Sequence, residues 1–182
     1  MLEALKQAGK DYPFEEGRYG IPFSNIEGES VKSGSGQLIN VVIDQSHLYI
    51  TDECSHYFME SIYLRFDGKL LFDILTKRVN REGQVTRHPD MFAKHYMRVA
   101  CNYYQNLGLP VKAIKGRWNA DSDNRAQFMR AYKESNDPRL AAASTWTGRV
   151  AADLGFTTVY CDLPPLFGFT GGDVEAMFVR SG

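Results

Sequence analysis

The sequence predicts an α+β fold, with a mixed, mainly antiparallel sheet and helices packed on it. Three observations carry this expectation. Short runs rich in β-branched and aromatic residues, separated by turn residues, fill positions 38–76. One apolar stripe at helical spacing runs from Phe92 to Leu107. Beyond it, helical segments alternate with short strand-like runs as far as Val179. With 182 residues, 43% of them apolar, the chain suits a single α+β domain over residues 38–182, preceded by an irregular N-terminal segment, 1–37.

Taken in order, Met1–Ala8 suits a short helix, but Pro13, Gly17, Gly20, Pro22, Gly28, Gly34 and Gly36 interrupt the rest of the first segment. Its end, SVKSGSGQ, reads as a flexible connector. LINVVID (Leu38–Asp44) and LYIT (Leu48–Thr51) form an expected hairpin. SIYLRF (Ser61–Phe66) and KLLFDILT (Lys69–Thr76) form a second one around Asp67-Gly68, the pair favoured in two-residue type I′ turns. The basic stretch KRVNREGQVTRH (Lys77–His88) reads as a loop, and Pro89 suits the first position of the helix after it. Gly108 and Pro110 end that helix. VKAIK (Val111–Lys115) is short enough for a strand. Asp121–Asn124 offer helix caps, Asp137-Pro138 breaks that helix, and Ser144 or Thr145 caps a further one closed by Gly155. FTTVYC (Phe156–Cys161) and VEAMFV (Val174–Val179) are expected strands, joined by a loop containing Pro164-Pro165 and Gly168–Gly172. The helices between the fifth and sixth strands imply a parallel crossover.

The three cysteines, Cys54, Cys101 and Cys161, are too few and too scattered for a disulfide framework. Met1–Lys10 has no apolar run of secretory length, and no run reaches the roughly 18 apolar residues of a membrane span. The expectation is a cytoplasmic protein, or one delivered into a target cell by a dedicated secretion system, with no membrane partner. Net charge is −1, unevenly spread. Residues 1–73 hold six Lys or Arg against twelve Asp or Glu, whereas residues 74–118 hold nine against two. That block points to a local anionic partner, such as an anionic small molecule.

Four groups of residues carry chemistry. Lys77, Arg78, Arg81, Arg87 and His88 precede a helix N-terminus, where backbone N–H groups and forked guanidinium donors favour phosphate oxygens. Among the strand carboxylates Glu60, Asp73, Asp162 and Glu175, Asp73 is the best general-base candidate and Glu60 the second, because Asp73 points away from the face that Phe72 and Ile74 share. His47, Glu53, Cys54 and His56 bring a thiol near imidazoles, the makings of a nucleophile or of half a metal site, but the spacing matches no specific template, so no metal is expected. Trp118, Trp146, Tyr103 and Tyr104, interleaved with Lys112, Lys115 and Arg117, are candidates for stacking bases. The near-neutral total charge weighs against nucleic acid.

The element order over roughly residues 38–162 resembles the GNAT acetyltransferase superfamily. By that resemblance Leu70–Thr76 is the fourth strand, Lys77–His88 the pyrophosphate loop, Pro89–Leu107 the long helix and Leu154-Gly155-Phe156 the entry to a late strand. The family's Gln/Arg-x-x-Gly-x-Gly/Ala spacing does not occur in the loop, and Ala151 stands where the family usually has a tyrosine acid. Gly116, Trp118, Asn124, Phe128, Ala141, Ala142, Thr145, Thr147, Gly148, Ala151, Gly155 and Phe156 also resemble a pattern in uncharacterised C-terminal domains of bacterial polymorphic-toxin or Rhs-type proteins, which implies bacterial or phage origin. The expected function is an acyl-CoA-dependent N-acyltransferase using acetyl-CoA or another acyl-CoA. The alternatives are a non-catalytic effector or inhibitor with a protein partner, and a nucleic-acid-acting toxin domain.

Overall fold

The computed structural model describes residues 1–14, 19–161 and 172–180. Asp162, Pro164-Pro165 and the rest of the expected loop up to residue 171 lie outside them. The protein is α+β, with mainly antiparallel sheet and helices packed on it. It divides into two compact units, Met1–Val111 and Lys112–Gly182.

In the first unit five strands pair antiparallel in the order of the chain: β1 (Ser30–Lys32), β2 (Leu38–Ile43), β3 (His47–Asp52), β4 (Phe58–Leu64) and β5 (Lys69–Leu75). β1 lies where the sequence suggests a flexible connector. Its pairing with β2 depends on the turn at residues 33–37, where Gly36 has φ +89° and the Gln37 N–H donates to Ser33 Oγ. Both expected hairpins form. In the first, Asp44 Oδ1 accepts the Ser46 N–H at 2.7 Å and tightens the turn. In the second, Leu64 pairs with Lys69, so four residues make the loop instead of Asp67-Gly68 alone. Gly68 takes φ +71° and its N–H donates to the Leu64 carbonyl. Phe66, expected in the strand, stands in that loop and is exposed.

Side chains alternate across the sheet, so the register assigns each residue to a face. One face carries Val31, Ile39, Val41, Leu48, Ile50, Met59, Ser61, Tyr63 and Leu70, all buried. Against it packs α2 (Ala93–Asn106), whose Tyr96, Val99, Tyr103 and Tyr104 are buried. Buried phenol hydroxyls need partners, and here they find the sheet. Tyr96 donates to the Leu48 carbonyl at 2.6 Å and lies 3.2 Å from Ser61 Oγ. Tyr104 donates to the Ser61 carbonyl at 3.0 Å, and Tyr103 to that of Asp44 at 2.7 Å. Tyr63 stacks on Tyr104 and donates to the Pro110 carbonyl. On the other side of α2 lies α1 (Leu2–Asp11), tied by Asn102 to Asp11, by Asn106 to the Ala4 carbonyl and by His95 to the Tyr12 carbonyl.

α2 starts four residues later than Pro89 suggests, because the preceding residues serve another purpose. Asp90 is 1% exposed. Its carboxylate accepts from the Gly20 N–H (2.9 Å), the Ser33 hydroxyl (2.8 Å), and the Ser35 N–H and hydroxyl. The Asp90 and Met91 N–H groups donate to His88 Nδ1. Burial pushes the Asp90 carboxyl up, but these donors outweigh it and hold it below the usual carboxylate range.

Lys77–His88 is not a loop but mostly a two-stranded ribbon, β6 (Lys77–Val79) with β7 (Val85–Arg87), turned by Asn80–Gln84 with Gly83 at φ +78°. The Asn80 side chain accepts the Glu82 and Gln84 N–H groups.

In the second unit β8 (Ala113–Trp118) and β9 (Thr158–Tyr160) both pair antiparallel with β10 (Val174–Val179). They therefore run parallel to each other with the last strand inserted between them. The helices separating them are α3 (Asp123–Ser135), α4 (Pro138–Ser144) and α5 (Trp146–Asp153). Ser122, Asp137 and Thr145 cap these three helices. Gly148 is required by packing, since a Cβ there would meet the Ala142 carbonyl oxygen at 2.4 Å.

The tyrosine network makes a stability prediction. Tyr96→Phe removes a hydroxyl in the core and should cost about 1–3 kcal/mol in urea unfolding. A loss under about 0.5 kcal/mol would mean that the hydroxyl does not hold the helix to the sheet.

Candidate functional site

The other face of the first sheet carries Val42 on β2, His47 and Tyr49 on β3, Phe58, Glu60 and Ile62 on β4, and Leu71, Asp73 and Leu75 on β5. Among the described residues, no helix of the first unit covers it. Leu38, Val42 and Ile62 are 42%, 55% and 40% exposed. Tyr49 stacks on Phe58 with ring centroids 5.9 Å apart. In the middle of these apolar side chains sits a polar group of three. Glu60 and Asp73 stand directly opposite each other across β4 and β5. His47 Nε2 is 2.6 Å from Glu60 Oε1.

The pairing of two carboxylates has a chemical consequence. Partial burial, and then the charge of Glu60, raise the Asp73 carboxyl above its ordinary range, against the Ile74 N–H that draws it down. A carboxylate of raised proton affinity is a better base. A pair of like charges on one face is also a ready partner for a cation.

The sequence-predicted anion site is laid out differently. Lys77 faces Arg87 and Val79 faces Val85 across the ribbon, while Arg78 pairs with Thr86 on the opposite side. Alternation therefore sends Arg78 to one face and Lys77 with Arg87 to the other. Arg81 stands in the turn, and all four cations are exposed. Tyr57 donates to Thr86 Oγ1 on the Arg78 side. His88 is turned inward, 6% exposed, with the Tyr57 ring edge-on to it. Burial lowers the His88 imidazole, with Asp90 and Asp52 opposing, and its Nε2 finds no hydrogen-bond partner among the described residues. The five residues do not converge on one recess. A shallow depression of about 320 Å3 lies elsewhere in the first unit, among Asn25, Glu27, Ser30, Val31 and Lys32.

The remaining candidates separate. His47 joins the carboxylates, Cys54 and His56 lie in the turn after β3 close to Asp52 at the end of that strand, and Glu53 is exposed. Tyr103, Tyr104 and Trp118 are buried, so they present no stacking surface. Glu175 pairs with Lys115 at 2.8 Å, and Arg117 with Asp173 at 2.7 Å. The role of His47 beside Glu60 escaped the sequence because it needs the register of β3 on β4 across a turn of five residues, Glu53–Tyr57. Asp90 carried only one signal, an acidic residue in a basic stretch.

No family model matches the chain, and neither a curated protein nor a solved structure matches it.

The carboxylate pair predicts a pH signature. The raised carboxyl of Asp73 is a stability contribution present below its unfolded value, near 3.8, and lost as pH rises through the folded value. Asp73→Asn should therefore be more stable than the wild type at pH 7, and the gap should close below about pH 4, by chemical denaturation across pH. An equal gap at both pH values would contradict the pairing.

Proposed function

We propose that the protein is a non-catalytic binding protein, of the effector or inhibitor kind, that takes a cationic segment of a protein partner on the open face of β2–β5. The observation that carries this reading is the composition of that face: Glu60 and Asp73 side by side, with exposed Ile62 next to them on β4 and exposed Val42 on the same face of β2. A lysine or arginine of the partner would relieve the repulsion between the carboxylates, and flanking apolar residues would cover the aliphatic rim. A charged centre shielded from water by an apolar surround is the arrangement that concentrates binding energy in protein interfaces.

Acyl transfer is the second reading, favoured by one observation, the raised proton affinity of Asp73 beside Glu60. On this reading Asp73, with Glu60, takes the proton of an acceptor amine, and exposed cations of the ribbon and its turn, Arg78 and Arg81, meet the phosphates of acetyl-CoA or another acyl-CoA. The resemblance in element order to GNAT acetyltransferases supports it, and a bacterial or phage origin is consistent with both readings.

Two experiments separate them. A displayed peptide library panned on the full chain should enrich Lys or Arg flanked by apolar residues. The enriched peptides should lose at least tenfold in affinity for the Ile62→Asp and Asp73→Asn variants; enrichment insensitive to both would remove the binding reading. Calorimetry with acetyl-CoA tests the other. Binding that is lost in the Arg78→Ala/Arg81→Ala double variant supports acyl transfer, and no heat at millimolar cofactor eliminates it.

A further inference from the structure

The turn joining β3 to β4 brings three metal-ligating groups of different chemistry together. In an extended chain Asp52, Cys54 and His56 would spread over roughly 13 Å. Here the Ser55 N–H donates to the Asp52 carbonyl at 2.9 Å, the Asp52 N–H donates to the Tyr57 carbonyl at 3.1 Å, and Ser55 takes φ +55°. The chain curls back on itself, and one ligand atom from each of Asp52, Cys54 and His56 lies within 4.8 Å of the other two. The Tyr57 N–H holds Asp52 Oδ1 at 2.7 Å and so orients the carboxylate, as outer-shell partners of metal ligands do. Cys54 and His56 are exposed, so an ion has access from solvent.

We propose that Asp52, Cys54 and His56 form a binding site for a single zinc-class divalent ion. One sulfur, one nitrogen and one oxygen donor suit a borderline-soft ion and exclude magnesium and calcium, which take oxygen sets. Cys54 ligates as the thiolate, its proton passing to solvent, His56 ligates through a neutral ring nitrogen, and Asp52 ligates through a carboxylate oxygen. Three protein donors leave one tetrahedral position for water or for a donor of another molecule, which is the open form of zinc site. The site does not depend on the open sheet face, since none of its three ligands lies in the group formed by His47, Glu60 and Asp73.

The test uses the full, untagged chain in metal-free buffer. Zinc titration by calorimetry should give one ion per chain. Cys54→Ser and His56→Ala should each weaken binding at least tenfold, whereas Glu53→Gln, which removes an exposed charge from the same turn, should leave it within about twofold. Both ligand positions are exposed, and unchanged urea unfolding of the metal-free variants confirms that they fold. Cobalt(II) in place of zinc should give a thiolate-to-metal charge-transfer band that Cys54→Ser abolishes. The proposal is overturned by an absence of stoichiometric zinc uptake, by uptake that Cys54→Ser leaves unchanged, or by a cobalt complex lacking the thiolate band.

Discussion

The first unit is organised by a need that tyrosine creates: a phenol ring gains by burial, but its hydroxyl loses if it is buried without a partner. α2 carries three such rings on its inner side, Tyr96, Tyr103 and Tyr104, and each hydroxyl reaches a main-chain carbonyl in or beside β3 and β4. Apolar packing alone would let a helix slide along a sheet at small cost. Directed bonds to the carbonyls of Leu48, Ser61 and Asp44 define a rotation and a register. Burial pushes the hydroxyl of Tyr103 up to about 12 and those of Tyr96 and Tyr104 also well up, so they stay protonated and continue to donate. Because the helix is committed to one face, the opposite face has no helix of this unit over it among the described residues.

Asp90 extends the same logic to the N-terminal segment. A carboxylate so deeply buried is costly unless hydrogen bonds replace its water. Gly20, Ser33 and Ser35 supply them, and all three belong to residues that read from composition as irregular. Those residues are thereby tied to the approach to α2. The same arrangement delays the start of the helix, because the backbone at Asp90 and Met91 is engaged with His88.

The open face and the ribbon show how alternation decides chemistry. On β4 and β5 it places Glu60 and Asp73 on one side, where the charge of Glu60 adds to burial in raising the Asp73 carboxyl. On β6 and β7 it sends the cations to two sides and so disperses a cluster that looks concentrated along the chain. A similar dispersal affects the aromatic and basic residues around Trp118: the rings turn into the core, while Lys115 and Arg117 turn to the acidic side chains of Glu175 and Asp173.

Local signals were legible in the residues themselves. Runs of β-branched and aromatic residues between turns marked β2–β5, short strand-like runs marked β8 and β10, and helical spacing marked α2; Thr145, Asp137-Pro138 and Gly155 marked the ends of later helices; and Asp73 was recognisable as pointing away from the side of Phe72 and Ile74. Each of these depends on contacts within a few positions, where propensity and capping act. Tertiary structure alone decided which residues meet across strands. The pairing of Glu60 with Asp73 and His47 depends on register, the turn of Asp52, Cys54 and His56 on a backbone reversal at Ser55, and the anchoring of Asp90 on donors 55 to 70 positions away. Register and long-range hydrogen bonds are set by what the whole core can satisfy at once, and no short window of sequence contains that information.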